Sequence, residues 1–141
     1  MRYVLDSCVA LKWVLPEPDS DKALRLRATA QAGVHALLAP DTFAPEVGHA
    51  LTRAERKGII PVGDADIHLL NILSTAPRFF PSLPLLRRAV AISSSARVGC
   101  YDCLYVALAE REGCELVTAD AKLVKNLQSM FAFIVPLSSL P

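Results

Sequence analysis

Four acidic residues, far apart in the sequence, stand where a strand is expected to end or a helix to begin. They are Asp6, Glu46, Asp102 and Asp120. Asp6 directly follows the apolar run Tyr3-Val4-Leu5, and Asp120 comes two residues after Leu116-Val117-Thr118. Ligands of open parallel sheets bind beyond the carboxyl ends of the strands, and the helices that follow strands start there too. We therefore expect the four side chains to converge at one edge of a sheet.

Carboxylates that share a cleft repel one another, and burial adds to the cost of keeping them charged. Some must be protonated, or a cation must compensate them. Oxygen ligands without a cluster of histidine or cysteine favour Mg²⁺ or Mn²⁺ over zinc. A metal-bound water is a usable nucleophile, and the metal stabilises charge that develops on a phosphoryl oxygen. The pattern thus favours metal-dependent hydrolysis at phosphorus.

Each acid also has a simpler interpretation. Aspartate is a good helix N-cap, which would account for Asp6 and Asp120. An acid in the first turn complements the helix dipole, which would account for Glu46 and Asp102. Only the joint placement of the four acids favours a site.

The elements that must position these acids are short strands and longer helices. Apolar runs predict buried strands over residues 3–5, 36–39, 115–118 and 131–135. Helical spacing and stop signals predict helices over 7–15, 21–32, 42–57, 64–76, 85–96 and 101–112, with a turn at Pro81 and Pro84. Strands that alternate with helices indicate an α/β fold with a mainly parallel sheet.

Length and composition are typical of a folded globular protein without a membrane helix. The 141 residues fit a single domain, 1–141, and 52% apolar residues are enough for a full core. A net charge of +1 excludes a histone-like polycation but not a local basic patch. No apolar stretch approaches the ~20 residues of a membrane helix, and no secretory leader is visible. We expect a cytoplasmic protein with no membrane partner.

The chain has four cysteines: Cys8, Cys100, Cys103 and Cys114. Cys100 and Cys103 have the spacing of a redox pair, for which a thiol of lowered pKa is required. A structural zinc needs a second pair of ligands at suitable spacing, which the sequence lacks. The favoured interpretation is that the cysteines are small buried apolar residues.

Four segments carry a resemblance to a known family: "LDSCVALKW", "APEVGHAL", "GCYDCLYVALAE" and "LVTADAKL". In this order and spacing, over nearly the whole chain, they resemble the PIN-domain ribonucleases, specifically the VapC toxins of VapBC toxin–antitoxin pairs. The resemblance implies a PIN-like three-layer sandwich, with a mainly parallel central sheet of four to five strands flanked by helices. It implies an Mg²⁺-dependent endoribonuclease, in which Mn²⁺ substitutes, acting as the toxin of a type II toxin–antitoxin pair.

By the same resemblance, the metal-binding and catalytic residues are Asp6, Glu46, Asp102 and Asp120. The products would carry a 5′-phosphate and a 3′-hydroxyl. The resemblance further implies a homodimer, and a VapB-type antitoxin whose C-terminal segment lies across the active-site groove. We expect the dimer surface on the two helices predicted between residues 42 and 76.

Three residues depart from the family pattern. Cys8 stands where the family often has serine or threonine, and His49 stands where it commonly has an amide. Lys122 falls near a position where some relatives carry a further acid. None of these departures removes a carboxylate, so activity is expected but its rate is open. Ser7 is a candidate hydrogen-bond partner for the acids, or an ordinary helix-start residue.

An RNA substrate would need cations around the acids. Lys12 is the favoured candidate because it is close to Asp6 in sequence. Trp13 and Tyr105 are aromatic residues that stack on bases in some proteins, but their helical spacing is more typical of a core. The other candidate cations are Arg53, Arg56, Lys57, Arg87, Arg88, Lys122 and Lys125.

Three alternatives stay open on the sequence. A phosphatase that uses Asp6 covalently usually has a second aspartate two residues later, where this chain has Cys8. A non-catalytic binding module would keep the fold and use the acids as caps. A housekeeping RNA-processing nuclease would work without an antitoxin.

Overall fold

The acids stand at the edge of a sheet of five parallel strands. A computed structural model describes all residues, Met1–Pro141. The strands are β1 (Arg2–Leu5), β2 (Ala36–Pro40), β3 (Arg78–Phe80), β4 (Glu115–Thr118) and β5 (Ile134–Pro136). Their order across the sheet is β3-β2-β1-β4-β5, and every neighbouring pair is parallel. The α/β fold predicted from the sequence is confirmed.

Seven helices flank the sheet. They are α1 (Ser7–Leu11), α2 (Ser20–Gln31), α3 (Phe43–Arg56), α4 (Asp64–Leu73), α5 (Leu83–Ala96), α6 (Cys100–Glu112) and α7 (Ala121–Leu127). A short 3₁₀ helix, Leu137–Ser139, follows the last strand. No helix is both long and apolar enough to cross a membrane.

The centre of the sheet is β1, which is paired on both sides. Val4 lies opposite Leu38 of β2 and Leu116 of β4. All three side chains are buried, and Val4 and Leu116 are completely inaccessible. Strands covered on both faces read as continuous apolar runs rather than as alternating patterns, which is why these short segments were recognisable in the sequence.

The helix that carries Asp102 runs through the interior. Every residue of α6 from Cys103 to Ala109 is buried, so the helix has no solvent face along this stretch. Gly113 ends it in a left-handed conformation (φ 64°), which glycine adopts without steric cost. A helix held on all sides is a rigid support for Asp102 at its first turn.

The predicted end of the first helix is wrong. The sequence predicts a helix over Ser7–Leu15, but α1 ends at Leu11 and residues 12–14 form tight turns. The Trp13 indole donates to Ala23 O at 3.0 Å and lies under the Arg27 guanidinium, 4.7 Å from the ring centre. These contacts turn the chain toward α2 before Pro16 is reached.

The other differences are in the second half of the chain. The strand β3 was missed because it has three mostly exposed residues at the edge of the sheet. Pro84 lies in the first turn of α5 rather than in a turn before it, since proline lacks only an N–H that this position leaves unpaired. The predicted strand 131–135 starts late, because Phe131 N–H closes on Leu127 O and Ile134 N–H on Phe131 O.

Candidate metal and nuclease site

Asp6 is the most deeply buried of the four acids, with 4% of its surface exposed. Its backbone N–H extends the β1 ladder by donating to Val117 O at 3.1 Å. The Thr118 hydroxyl donates to Asp6 Oδ2 at 2.8 Å, and the Cys8 N–H donates to Oδ1 at 3.4 Å. Burial raises the pKa of the Asp6 carboxyl and the Asp120 carboxylate raises it further, while these hydrogen bonds oppose the rise.

Thr118 joins the ends of two strands. Its side chain is completely buried. While its hydroxyl donates to Asp6, the same oxygen accepts the Asp120 N–H at 3.0 Å. One hydroxyl group therefore sets the position of Asp6 at the end of β1 relative to Asp120 after β4.

Glu46, in the first turn of α3, is held by two hydroxyl groups. Tyr105 of α6 donates to Glu46 Oε2 at 3.2 Å, and Ser7 donates to Oε1 at 3.4 Å. Ser7 Oγ is also 3.5 Å from Asp6 Oδ1, so it lies between the two acids. Burial and the Asp6 charge raise the pKa of Glu46 to about 7, against the effect of these hydrogen bonds.

Asp102 is half-buried in the first turn of α6, and its carboxylate accepts no hydrogen bond from the protein. Burial raises its pKa to about 6, and the charges of Asp6 and Asp120 add to the rise. Lys122 is the cation that opposes this effect. Asp102 is thus an acid with unfavourable neighbours and little local compensation.

The structure brings the four predicted acids to one edge of the sheet. Asp6 acts electrostatically on Glu46 and Asp102, and Asp120 acts on Asp6 and Asp102. Their side chains are near one another without forming a ready coordination shell, since no three acidic, histidine or cysteine residues are grouped as ligands of one ion.

The capping interpretation holds for two of the acids. Asp6 caps α1 through the Cys8 N–H. Asp120 caps α7, where its Oδ1 accepts the Lys122 and Leu123 N–H groups at 3.0 and 3.2 Å. Neither Glu46 nor Asp102 caps a helix. Capping therefore accounts for part of the pattern and leaves the other two acids without a structural role of that kind.

A groove of about 610 Å³ opens beside the acids. Its walls come from α1, from the start of α3 and from Tyr101, and its lining is mostly apolar carbon. The lining residues are Ser7, Cys8, Leu11, Asp41, Thr42, Pro45, Glu46, His49, Ala50 and Tyr101. Since Ser7 and Glu46 belong to both, the groove and the acidic site form one continuous cleft.

Several candidates from the sequence lie elsewhere or are already engaged. Lys12, the favoured RNA-binding cation, has a side chain only 12% exposed that pairs with Glu17 at 3.5 Å. Trp13 and Tyr105 are core residues, as their spacing indicated. Burial raises the pKa of Cys103 to about 11, the opposite of what a redox thiol needs. The packing interpretation of the cysteines is favoured.

Two residues that hold the acids were not singled out on the sequence in that role. Thr118 is the last residue of a strand, where its hydroxyl had no visible partner. Tyr105 follows Asp102 by three residues, so the two lie on one side of α6. That spacing was the available signal, but it also fits a core aromatic residue.

The sequence model of the PIN domain matches residues 3–126 of this chain. The chain belongs to the PIN-domain family. Among curated relatives, it is 31% identical over 136 residues to Ribonuclease VapC3 of Pyrobaculum aerophilum, covering 92% of this chain and 98% of the relative. It is 34% identical over 124 residues to Ribonuclease VapC12 of Mycobacterium tuberculosis, covering 87% and 90%. Within the PIN domains it is therefore of the VapC type.

Solved structures agree on the fold. The crystal structure of PAE2754 from Pyrobaculum aerophilum superposes with a TM-score of 0.72 at 21% identity, covering 99% of this chain and 94% of that one. The structure of VapBC2 from Rickettsia felis, bound to a DNA fragment from their promoter, gives a TM-score of 0.66 at 15% identity, covering 96% and 97%. The five-stranded sheet is thus that of a PIN domain.

The three departures from the family pattern all lie around the site of this PIN domain. Cys8 Sγ accepts the Ala119 N–H at 3.4 Å and is 3.8 Å from Thr118 Oγ1. Burial raises the pKa of its thiol well above the ordinary value, so Cys8 stays protonated. His49 lines the groove one turn after Glu46, and Lys122 offsets part of the charge near Asp102.

Replacing Thr118 with valine tests how the buried acid is held. The change removes the donor to Asp6 and the acceptor for the Asp120 N–H while nearly keeping the side-chain shape. We expect a loss of about 1–3 kcal/mol in the free energy of unfolding, the usual cost of leaving buried polar groups unpaired. Urea titration measures it. Thr52→Val, which removes an exposed hydroxyl bonded to Gly48 O, is the matched control and should change stability by less than about 0.5 kcal/mol. Equal stabilities of the two variants would contradict this account.

The raised pKa values predict how stability depends on pH without divalent ions. Glu46 titrates at about 7 instead of 4.5, and Asp102 at about 6 instead of 3.8. Between these values the folded state therefore binds more protons than the unfolded state. The two carboxyl groups add most to the free energy of unfolding at low pH, and this stabilisation is lost as the pH rises. We expect the Tm in chelator to fall by about 5 °C or more between pH 5 and pH 8. Glu46→Gln should flatten this profile, and a Tm that rises over the same range would refute it.

Proposed function

We propose that this PIN domain, taken as a single domain over residues 1–141, is an Mg²⁺-dependent endoribonuclease that acts as the toxin of a type II toxin–antitoxin pair. The observation that carries the proposal is the concentration of four acids at one sheet edge, with the pKa values of Asp6, Glu46 and Asp102 raised by burial and by one another. The names of the VapC3 and VapC12 relatives, both ribonucleases, support the reaction class.

The donor set suits a hard divalent cation. All the candidate ligands are carboxylate oxygens, which Mg²⁺ and Mn²⁺ prefer. We assign Asp6, Asp102 and Asp120 to hold Mg²⁺, directly or through water, with Mn²⁺ as a substitute, and Glu46 as a further ligand or the residue that orients the attacking water. Asp102 accepts no hydrogen bond from the protein. In Asp120 only Oδ1 is engaged, by two backbone N–H groups. Oxygens thus remain available to an ion.

When bound, the ion supplies an activated water and stabilises charge on the phosphate. The protein's part is to place the acids and to move a proton. Glu46 reaches the cleft from the first turn of α3, where Ser7 and Tyr105 orient its carboxylate, so it would accept the proton of the attacking water. The water oxygen would bond to phosphorus in line with the ribose 3′ oxygen as the P–O3′ bond breaks, its proton passing to Glu46, and the leaving oxygen would take a proton from solvent. The products are a 5′-phosphate and a 3′-hydroxyl, and no protein nucleophile is needed.

The substrate proposal rests on cations around the cleft. Lys122 acts electrostatically on Asp102 and its side chain is exposed, so it is a cation available to a phosphate. Lys12 is a weaker candidate than the sequence indicated, since it is nearly buried against Glu17. Since phosphate contacts position a nucleic acid without reading its sequence, selection of the RNA must come from elsewhere in the cleft.

The partner proposal rests on likeness to VapC proteins. We propose that a VapB-type antitoxin binds this protein and covers the cleft, and that the pair works in the cytoplasm. The Rickettsia felis VapBC2 system, which shares the fold, supports a partner of this kind. Two observations test this assignment. One is a neighbouring reading frame that encodes a small DNA-binding protein. The other is that induced expression of this chain arrests growth and that co-expression of the neighbouring product relieves the arrest.

Asp102→Asn tests the metal site directly. It removes one charge and one oxygen ligand while keeping the side-chain size, so we expect RNA cleavage to fall by at least about 100-fold. The native protein should gain thermal stability with Mn²⁺, because an ion that binds only the folded state stabilises it. The variant should lose most of this gain. Gel assays on a mixed RNA and thermal denaturation measure the two effects.

The matched control is Asp66→Asn, which changes another first-turn acid on the exposed surface of α4 and should leave both measurements unchanged. Cleavage that survives in Asp102→Asn, or in excess chelator, would refute the metal-dependent mechanism. Mn²⁺ binding without cleavage of any RNA would favour a non-catalytic binding module. Cleavage without growth arrest would favour a processing nuclease that has no antitoxin.

A second copy of the chain is the proposed occupant of an apolar surface on α4. Ile67 and Leu70, three residues apart on one face of this helix, are each 63% exposed. Contiguous exposed apolar surface of this kind marks association sites. We expect the native protein to be a dimer by light scattering and Leu70→Lys to be largely monomeric. Leu24→Lys, at a 45% exposed position on α2, should remain dimeric; a monomeric native protein at the same concentration would refute the dimer.

A further inference from the structure

The groove beside the acids has the size and position of a binding site for part of the substrate. Its volume of about 610 Å³ lies within the range of about 300–1,000 Å³ typical of small-ligand pockets. Ser7 and Glu46 line it at one end, where they also contact each other and, through Ser7, Asp6. Whatever occupies the groove therefore lies next to the position of the scissile phosphate.

An aromatic ring stands at the mouth of the groove. Tyr101 is 64% exposed, although it directly precedes the half-buried Asp102. Its hydroxyl makes no hydrogen bond within the protein, and no other ring packs against it. By contrast, Trp13 and Tyr105 are buried. A solvated aromatic ring beside a phosphate-binding position is a suitable platform on which an unstacked base can lie.

A carboxylate at the edge of the groove has a free oxygen. Asp41 is exposed and accepts one bond, from the Ser82 N–H to Oδ1 at 3.2 Å, which leaves Oδ2 free. The neighbouring Thr42 hydroxyl is buried beside Glu46, whose pKa it lowers, and is not accessible to a ligand. Asp41 Oδ2 is therefore the acceptor that the groove offers to an N–H donor.

We propose that this groove takes one unpaired nucleobase of the RNA, stacked on Tyr101 and read at its edge by Asp41. The inference rests on the proposed nuclease function for its substrate. The base belongs to a nucleotide that flanks the scissile phosphate, because the groove and the acids share Ser7 and Glu46. Tyr101 is a binding residue, whereas the acids carry the chemistry.

The charges and shape of the groove favour a base over a segment of a protein partner. Its charged lining residues are acidic, Asp41 and Glu46, so its edge attracts N–H donors rather than phosphate. A flat ring with N–H groups at its rim satisfies Tyr101 and Asp41 together. An apolar side chain from a peptide would fill the space without offering Asp41 an N–H donor.

The hydrogen-bond chemistry also predicts which bases fit. A carboxylate accepts from an exocyclic amino group, as in the pairing of aspartate with the N4 amino group of cytosine. Bases with an amino group should therefore bind better than uracil. Asp41→Asn should reduce this preference without abolishing binding, because the stacking contact on Tyr101 remains.

The test uses short unstructured RNAs that carry the fluorescent base 2-aminopurine, which has an exocyclic amino group, at one position at a time. Binding is measured on Asp102→Asn, so that the RNA stays intact. We expect fluorescence quenching at one position, as the probe stacks in the groove. Adding Tyr101→Ala should raise the Kd about tenfold or more and abolish the quenching, because one base–aromatic stack is lost. Adding Tyr101→Phe should restore both. Met130→Ala, at a site 58% exposed and outside the groove lining, should change neither.

Equal Kd values for Asp102→Asn with and without Tyr101→Ala would overturn the nucleobase site, and so would quenching that persists in the Tyr101→Ala protein. Unchanged RNA affinity together with weakened binding of the cognate antitoxin would show that the groove takes a protein segment, and would also overturn it. The two proposals fail separately. Position-specific quenching with no cleavage by the native protein would refute the nuclease and leave the base site standing. Cleavage with an unchanged KM in Tyr101→Ala would refute the base site and leave the nuclease standing.

Discussion

The structure depends on a carboxylate buried among other carboxylates. Asp6 follows the central strand, and burial, with a smaller effect from the Asp120 charge, raises the free energy of its charged form. At Asp6 and Glu46 the protein lowers this cost with hydroxyl groups: Thr118 donates to Asp6, and Ser7 and Tyr105 donate to Glu46. Lys122 offsets part of the charge at Asp102. Neutral donors orient the acids but leave most of the negative charge in place. That remaining charge is the physical basis of the proposed divalent-ion site.

The rigid parts of the fold serve this arrangement. The central strand β1 is hydrogen-bonded on both sides, and α6 is buried along most of its length. Acids attached to such elements cannot move apart to relieve their repulsion without disturbing the core. The unfavourable free energy of bringing like charges together is therefore offset by hydrophobic packing elsewhere in the protein, as is common at functional sites.

Structural and chemical roles coincide in the two aspartates that follow strands. Asp120 caps α7 with Oδ1 alone, and a carboxylate has a second oxygen with lone pairs of its own. Capping and metal binding are thus compatible roles for one side chain. Asp6 differs, because both of its oxygens accept hydrogen bonds from the protein. Glu46 and Asp102 cap nothing, and their first-turn positions also fit the helix-dipole interpretation.

The strands β1, β2 and β4 and most helix boundaries were predictable, since buried parallel strands are apolar throughout and helices have marked ends. The errors lie where tertiary contacts outweigh local pattern. Trp13 turns the chain by bonding to Ala23, the short edge strand β3 has little apolar signal of its own, and Phe131 closes onto α7. The convergence of the acids was foreseen because the topology of a parallel sheet brings strand ends to a common edge.

The sequence by itself determined which functional groups are present: four carboxylates, attached at strand ends and helix starts. Only the tertiary structure decided how those groups are held and what lies beside them. Thr118 bonds to Asp6, and Tyr105 bonds to Glu46, across large distances in the sequence. The exposed ring of Tyr101 likewise lies over a groove formed by residues far from it in the sequence. Hydrogen bonding and burial at such positions depend on packing between elements, which local residue patterns do not encode.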